Sequence, residues 1–371
     1  MADRAQAVID AASYVFELDM HSSEPLVAAG LISGVAALWR YGEGGVSPEA
    51  AGRAAAHAES CRSLRFGGDG GGCLYTCSSD KSVACVDVAS CAVGWRVPDA
   101  HEEPVNQLCS LEGSLLATGD DGGMVKLWDT RQRAQVASFA AHDDFVSDFA
   151  YEPISKTLLS TGGDGTLCAH DVQRKKLIEK SEPIDDELLS VQIIKRGRLA
   201  LCGGQDGSLY VYKWGQWGSC SDTAPGHPKS IDTLAGLDPD TVLTGSSDGL
   251  IRIVQVHPNK LLGVVGEHGE FPVECIALAR ERGVLASCSH DETIKLWDCS
   301  QLLDGGGGDL DSDASGAEGG GGGEGSEGES ELAEGAAKRA KTSGASDAEN
   351  EGEEDESESE DEGGGGFFSG L

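Results

Sequence analysis

Basic residues are scarce in this chain. Its 371 residues include 28 lysines and arginines against 63 aspartates and glutamates, which gives a formal net charge of -35 at pH 7. A surface this acidic repels the phosphates of nucleic acids and the headgroups of anionic lipids unless a local basic patch intervenes. The balance excludes indiscriminate binding to either, whereas a hydrophobic content of 39% is enough for a real core.

Long apolar runs are also missing. The longest extends from about Val27 to Trp39, which is short of the ~20 residues that a membrane-spanning helix requires. The first residues, Met-Ala-Asp-Arg, lack the basic and then apolar layout of a signal peptide. We therefore expect a soluble protein without an evident secretion signal.

Cysteine is present without the spacing of a metal site. Twelve cysteines occur in the first 300 residues, none in a Cys-x-x-Cys pair, and the closest two are Cys73 and Cys77. No pair of histidines or cysteines follows them at zinc-finger spacing. We expect free thiols in a reducing compartment, without a metal or a disulfide framework.

The composition changes near residue 303. Residues 304–371 hold 21 acidic residues, 3 basic residues and 20 glycines, with no isoleucine or valine. Such a segment buries too little apolar surface to offset its chain entropy. We predict that residues 1–303 form one folded domain and that 304–371 are a disordered acidic tail.

The first 303 residues repeat with a period near 42. Short apolar segments separated by Gly and Asp turns predict β-hairpins, and no segment shows a sustained helical period. A period of 40 to 45 residues that closes on Trp-Asp, as at 128–129 and 297–298, is the WD40 signature of four strands per propeller blade. The sequence therefore predicts an all-β, seven-bladed WD40 propeller. Its repeats end near residues 39, 86, 128, 170, 212, 254 and 297.

A histidine opens most repeats. In WD40 repeats the histidine, a serine or threonine, the turn aspartate and the tryptophan resemble a buried hydrogen-bonded tetrad. Repeats two, four, five and six lack the tryptophan, and repeat three has one extra glycine, Gly123. The predicted tetrads are His101, Thr118, Asp121 and Trp128 in repeat three, and His268, Ser287, Asp291 and Trp297 in repeat seven.

Closure of the ring requires one more strand, because one blade otherwise keeps an exposed edge. The chain becomes glycine-rich soon after Trp297, so this strand must come from the other end of the domain. Residues near Gln6 to Asp10, which include Ala-Val-Ile, are the candidate.

Several segments outside the repeat signature resemble a single family, the WD repeat-containing protein 55 family. The resemblance implies a nuclear and nucleolar protein that supports ribosomal RNA synthesis or processing and ribosome biogenesis. We add the cytoplasm as a further location that the sequence leaves open. For plant members the resemblance also implies a link to cullin-4 ubiquitin ligases. The segments that carry it are 117–121, 213–219 (Lys-Trp-Gly-Gln-Trp-Gly-Ser), 230–232, 245–252, 257–259, 272–274 and the terminal pentapeptide 367–371.

No catalytic constellation emerges. The glycine-rich stretches 67–72 and 162–165 lie in predicted hairpin turns, so they lack the helix N-terminus that makes a phosphate cradle. The histidines recur at blade starts, and turn geometry accounts for the aspartates. We predict a monomeric, non-enzymatic scaffold for protein-protein interaction, without a cofactor. The family resemblance implies ribosome-assembly factors as its partners.

The sharpest local motif is Trp128-Asp129-Thr130-Arg131. It resembles the Trp-Asp-x-Arg box by which some propellers dock onto the damaged-DNA-binding adaptor of cullin-4 ligases. An arginine at the end of an exposed hairpin makes charge-assisted bonds to an acidic or carbonyl-rich partner. The alternative function is therefore a substrate receptor of such a ligase, although Trp and Asp occur in every complete repeat and only Arg131 adds information.

Polar residues near the start of several predicted inner strands suggest a second site. Asn106, Asp148, Asp232 and Glu274 follow the first apolar residue of their strands. We expect them near one rim of the propeller, where peptides bearing Arg or Lys bind. Solvation and turn bonding are the alternative explanation.

The few basic clusters lie in predicted loops between blades. They either form one positive face that contacts RNA or are solvated loop tips, and the sequence leaves both interpretations open. The clusters are Arg131 with Arg133, Arg174 with Lys175 and Lys176, and Lys195 and Arg196 with Arg198.

The predicted tail carries short linear patterns. Serines with an acidic residue three positions on fit acidophilic kinases, which would add further negative charge. The remaining candidates are a nuclear-import cluster at Lys338, Arg339 and Lys341, and a docking motif, or an inert terminus, at Phe367, Phe368 and Leu371.

Overall fold

A computed structural model describes residues 5–67 and 70–304 of the chain. Within them lie 28 β-strands, arranged as seven four-stranded antiparallel sheets. Six sheets use four consecutive strands, and the seventh combines the last three strands with the first. The prediction of an all-β, seven-bladed propeller is confirmed.

Blades 1 to 3 contain β2 to β13, which run in chain order from the innermost strand outward. Their bounds are Val15–Met20, Leu26–Leu31, Val35–Arg40 and Glu49–Ala55 (β2 to β5); Cys61–Gly67, Cys73–Ser78, Val83–Asp87 and Ala92–Val97 (β6 to β9); and Val105–Ser110, Leu115–Asp120, Met124–Asp129 and Ala134–Ala140 (β10 to β13).

Blades 4 to 6 contain β14 to β25 in the same order, and blade 7 begins with β26 to β28. Their bounds are Val146–Glu152, Thr157–Gly162, Leu167–Asp171 and Lys176–Lys180 (β14 to β17); Leu188–Ile194, Leu199–Gly204, Ser208–Lys213 and Asp222–Pro225 (β18 to β21); Ile231–Gly236, Thr241–Ser246, Leu250–Gln255 and Lys260–Glu267 (β22 to β25); and Val273–Ala279, Val284–Ser289 and Thr293–Asp298 (β26 to β28).

The helical elements of the described ranges are short. They are two 3-10 turns, Glu43–Gly45 and Arg280–Arg282, and one helix, α1, Ser300–Asp304. In the part of the chain that the structure describes, no helix is long and apolar enough to cross a membrane.

The outer strand of blade 7 is β1, Ala7–Asp10, which pairs antiparallel with β28. Ala7 lies opposite Leu296 and Asp10 opposite Thr293, so the segment predicted to close the ring does so. Ile9 points into the core and is 5% exposed, whereas its neighbour Val8 is 54% exposed. This alternation explains why four residues suffice: one face packs while the backbone covers an open edge.

Adjacent blades pack tightly through small and branched apolar side chains. Leu38, Leu64 and Leu74, from blades 1 and 2, are almost fully buried in one such contact. At Gly30 a Cβ atom would lie 2.7 Å from the carbonyl oxygen of Cys61, so this contact accepts only glycine. Close packing of this kind makes the ring a rigid support.

The strand order gives the propeller two distinct faces. The first face, as we name it, carries the starts of the innermost strands and the turns that join the second and third strands of each blade. The second face carries the turns between first and second strands and between third and fourth strands. Every innermost strand has a register shift after its first residue, for example between Val105 and Gln107, and such bulges re-aim side chains at a rim.

Candidate functional site

The tetrad of blade 7 connects the four residues that the repeat indicated. Nδ1 of His268 lies 3.1 Å from Asp291, Nε2 lies 2.7 Å from Oγ of Ser287, and the Trp297 indole donates to the same Oγ at 2.8 Å. Burial lowers the pKa of His268, so the ring is neutral at pH 7. The network ties the inter-blade loop to two strands and serves the fold.

In blade 3 the aspartate of the tetrad is Asp120, and the assignment of Asp121 was wrong. His101 contacts Asp120 at 2.7 Å and Thr118 at 2.7 Å, and the Trp128 indole donates to Thr118 at 2.8 Å. Two glycines, Gly122 and Gly123, lengthen this turn, and Gly123 adopts φ 79°. The aspartate at the strand end therefore reaches the histidine, and the next residue turns outward.

Asp121 contributes instead to the first face. Both of its carboxylate oxygens accept hydrogen bonds from the Arg62 guanidinium, at 2.7 and 2.8 Å. Arg62 is the second residue of the innermost strand of blade 2, where the register shift turns its side chain toward the rim. The pair sits at the mouth of the largest cavity of the described residues.

That cavity has a volume of about 760 Å³ and opens on the first face at the centre of the ring. Two arginines line it, Arg62 and Arg65, and each is paired with a carboxylate, Asp121 or Glu17. Apolar side chains complete the wall, including those of Phe16, Phe145 and Leu189. The acidic residues that line it are Glu17, Asp19, Asp121, Asp144, Asp148, Asp232 and Glu274.

The four rim candidates all line this cavity, but they do not share one strand position. Asn106, Asp232 and Glu274 occupy the shifted second residue of their strands. In blade 4 that place belongs to Ser147, and Asp148 is the next residue, opposite Thr161. Asp148 therefore lies one residue deeper in the cavity than Asn106, Asp232 and Glu274. The assumption from sequence that all four occupy the same strand position was wrong for Asp148.

The deeper part of the cavity holds a hydrogen-bonded acidic cluster. Glu17 accepts from Arg65 at 2.7 Å and from the Gln107 amide at 3.1 Å. Asp19 accepts from the backbone N–H of Phe66 at 2.7 Å, and burial raises its pKa to about 6. Sequence reasoning missed these residues, although Glu17 and Gln107 occupy the same position of their strands.

Asp148 and Asp232 are the carboxylates with the least compensation. Asp148 accepts only backbone N–H groups, those of Val191 at 2.9 Å and Phe149 at 2.7 Å, and burial raises its pKa to about 7. Burial likewise raises the pKa of Asp232 to about 6, and its buried Oδ2 has no hydrogen-bond partner among the described residues. Neither carboxylate has a salt-bridge partner among the described residues, and only the more distant charge of Arg65 or His290 acts on them. A positively charged group in the cavity would stabilise their ionised forms.

Arg131 lies on the second face, in the turn between β12 and β13, and is exposed. Its backbone N–H donates to Oδ1 of Asp129 at 2.9 Å, while Trp128 is buried in the tetrad. Of the docking motif, Trp128 is buried and Arg131 is exposed to solvent. It lies on the face opposite to the acidic cavity.

The three basic clusters also occupy the second face or its edge, in turns of blades 3, 4 and 5. The import candidates Lys338, Arg339 and Lys341, the docking candidates Phe367, Phe368 and Leu371, and the tail predicted from residue 304 onward lie outside the described residues, apart from Asp304, the last residue of α1. Over residues 5–67 and 70–304, no three His, Cys, Asp or Glu side chains converge at metal-binding distance.

Comparison with known proteins assigns the chain to a family. The model of the WDR55 family matches residues 6–302. The chain is 40% identical over 298 residues to WD repeat-containing protein 55 of Arabidopsis thaliana, covering 80% of this chain and 84% of the relative. It is 41% identical over 301 residues to WD repeat-containing protein JIP5 of Coprinopsis cinerea (78% and 73%), and 34% identical over 285 residues to the Rattus norvegicus WD repeat-containing protein 55 (77% and 74%). The chain therefore belongs to the WD repeat-containing protein 55 family.

Proposed function

We propose that this protein is a non-catalytic scaffold of the nucleus and nucleolus, with some presence in the cytoplasm, that holds a Lys- or Arg-rich segment of a partner protein in its first-face cavity. The acidic cavity is the observation that carries the proposal. The partners are ribosome-assembly factors, and the process is ribosomal RNA synthesis or processing. This assignment of the process follows from the family resemblance.

Charge explains why the guest is basic. Both arginines that line the cavity are already paired, with Asp121 and Glu17. Asp148 and Asp232 form no salt bridge with any residue that the structure describes, although the charge of Arg65 acts on Asp148 and that of His290 on Asp232. A guanidinium or ammonium that enters this space replaces water around charges that burial has made costly. Phe145 and Leu189 at the mouth cover the aliphatic part of such a side chain.

Rigidity explains how the site works without making or breaking a bond. The cavity wall comes from the innermost strands of all seven blades, and the tetrads fix the loops around its mouth. A preorganised surface loses little conformational entropy on binding. The ring therefore presents the same charge pattern to each partner.

The test is quantitative affinity purification from nuclear extract with the wild type and the double variant Asp232→Asn, Glu274→Gln. We expect ribosome-assembly proteins to be recovered with the wild type and reduced about tenfold or more with the variant, as for the loss of two charge-assisted contacts. The matched control is Asp99→Asn, Glu102→Gln, which removes two exposed charges that do not line the cavity. Equal recovery with both double variants contradicts the proposal.

The exposed guanidinium of Arg131 favours a second candidate function, docking to the adaptor of a cullin-4 ubiquitin ligase. The first-face cavity would then hold the substrate, because the two sites lie on opposite faces. We expect Arg131→Ala to lose co-purification of the adaptor while Arg174→Ala, in the equivalent turn of blade 4, retains it. If Arg131→Ala recovers as much adaptor as the wild type does, the motif is incidental.

Nuclear import through Lys338, Arg339 and Lys341 accompanies the first candidate function. A basic cluster within a long acidic segment of the sequence has the chemistry that an import receptor binds. A fluorescent fusion in which all three residues are alanine should shift from the nucleus to the cytoplasm. An unchanged distribution refutes this role for the cluster.

A further inference from the structure

A basic patch lies on the second face across blades 4 and 5. We define it by Arg174, Lys175, Arg196, Arg198 and Lys213, all of them exposed. The Arg174 side chain is 81% exposed and forms an ion pair with Asp171 at 3.6 Å. The other four have no ion pair with any residue that the structure describes. In a chain of net charge -35, a group of exposed cations of which four have no described ion pair indicates a site for an anionic partner.

The loop that carries Arg196 and Arg198 is held in an unusual conformation. Lys195, Arg196 and Gly197 have φ angles of 52°, 57° and 77°, and left-handed backbone is costly for residues other than glycine. The Lys195 N–H donates to the carbonyl of Pro239 at 2.8 Å, and the Arg198 N–H donates to that of Ile194 at 3.2 Å. The strain is thus compensated by neighbouring contacts, and the loop presents both guanidinium groups from a fixed backbone.

A tryptophan adjoins these arginines. The backbone N–H of Trp214 donates to the carbonyl oxygen of Arg198 at 2.9 Å, and the residue remains partly exposed. Its edge-to-face partner Trp217, with ring centroids 4.9 Å apart, is buried. The indole therefore packs against a buried ring, next in sequence to Lys213 and linked to Arg198 through its backbone.

The turns of blades 4 and 5 that carry the patch approach each other. The turn that precedes Arg174 is joined to the first turn of blade 4 by a hydrogen bond from the Val172 N–H to the Lys156 carbonyl at 3.0 Å. A side chain added at Gly197 would contact Glu152, which ends the first strand of that blade. The two turns are therefore neighbours on one face, and Glu152 places an acidic side chain where they approach each other.

The acidic groups of this surface are engaged locally. Oδ1 of Asp171 accepts from the Arg174 N–H at 2.7 Å, and Oδ1 of Asp238 accepts from the Asp240 N–H at 2.7 Å. Asp240 itself pairs with Lys195. Their oxygens bond to the loop backbone and to a neighbouring cation, whereas Arg196 and Arg198 are exposed and form no ion pair with a described residue, although they line one pocket with Asp238 and Asp240.

We propose that this basic patch binds single-stranded RNA, with the cations on successive phosphates and an unpaired base stacked on Trp214. Arginines beside a fixed aromatic ring are what single strands require, since stacking supplies the contact to the base and charge supplies the contact to the backbone. A purely acidic peptide would use the cations but not the indole face. RNA is the polynucleotide because it meets proteins mainly through unpaired loops and ends, whereas cellular DNA is largely duplex.

The test is fluorescence anisotropy with the full chain and a labelled single-stranded RNA of mixed sequence. The wild type should bind with an affinity that falls steeply between about 50 and 200 mM salt. Arg196→Glu with Arg198→Glu should weaken binding more than tenfold and lower the slope of log K against log salt by about 1.4, because each phosphate contact on a single strand contributes about 0.7. Trp214→Ala should weaken binding about tenfold with an unchanged slope.

The matched control is Arg53→Glu with Lys229→Glu, which gives the same change in net charge at exposed positions away from the patch. Equal loss in this control, tighter binding of a duplex, equal binding of single-stranded DNA, or tighter binding of polyglutamate each overturns the proposal. Near-ultraviolet circular dichroism checks that the variants are folded. The first-face variant Asp232→Asn, Glu274→Gln should bind RNA as the wild type does, so this test and that of the proposed function fail independently.

Discussion

Replacing either of two adjacent aspartates tests the tetrad of blade 3 directly. Asp120 is 3% exposed and accepts hydrogen bonds from His101 at 2.7 Å, from the Gly122 N–H at 3.0 Å and from the Met124 N–H at 2.9 Å. Bonds to a charged acceptor contribute about 1.5–3 kcal/mol each. Part of this is regained from water after truncation, so we expect Asp120→Ala to cost about 4 kcal/mol of unfolding free energy.

Asp121→Ala is the matched control, one residue along the chain. Its ion pair with Arg62 joins side chains that are 34% and 26% exposed, and pairs of this exposure contribute at most about 1 kcal/mol. Urea denaturation followed by tryptophan fluorescence measures both effects, because Trp128 belongs to the same network. The midpoint should fall by about 1 M for Asp120→Ala and hardly at all for Asp121→Ala. The reverse order, or equal losses, would falsify the assignment of Asp120 to the tetrad.

Three further outcomes follow from burial and charge. Ile9→Ala should destabilise the protein by about 2–4 kcal/mol and Val8→Ala by less than about 0.5 kcal/mol, as measured by urea midpoints. Deletion of residues 1–12 should lower the melting temperature clearly. An unchanged melting curve refutes closure of the ring by β1. Burial lowers the pKa of His57 to about 4, so the unfolded chain binds the extra proton between about pH 6.5 and 4 and the urea midpoint should fall as the pH falls through that window. Burial raises the pKa of Asp148 to about 7, so the folded state holds this proton between about pH 4 and 7 and the stability from this group decreases as the pH rises. Asp148→Asn should therefore lose less unfolding free energy than the wild type between pH 5 and 8. An unchanged pH profile of stability in that variant contradicts the raised pKa.

The blade count and the ring closure were accessible from the sequence because both depend on local patterns. Each blade repeats a turn and an apolar strand at a nearly constant interval, and the ring leaves one edge that β1, Ala7–Asp10, can cover. The histidine, serine and tryptophan of blade 7 were accessible for the same reason. Their positions are fixed by the repeat itself.

The wrong assignment of Asp121 to the tetrad shows what the repeat pattern does not determine. Two acidic residues precede Gly122, and sequence spacing from the tryptophan favours the second, but the added Gly123 moves the turn so that the first reaches His101. Which aspartate bonds depends on the backbone path of one turn. Composition does not determine that path.

The acidic cavity could be predicted only in part. Asn106, Asp232 and Glu274 were found because they follow an apolar residue, whereas Glu17 and Asp19 were missed because the channel becomes visible only when seven strands are placed side by side. The placement of Asp148 depended on a register shift that leaves Ser147 unpaired. Ring geometry, rather than sequence order, brings these carboxylates together.

The pairing of β1 with β28 can form only near the end of synthesis of the propeller. Asp10 emerges from the ribosome long before its partner Thr293, and at about 5–20 residues per second the interval is on the order of 15 to 60 seconds. During that time β1 has no pairing partner, while the strands of the other six blades are synthesised. Because β1 is only four residues long, it offers few backbone hydrogen bonds to a non-native strand edge. The last pairing to form joins the first strand synthesised to the last.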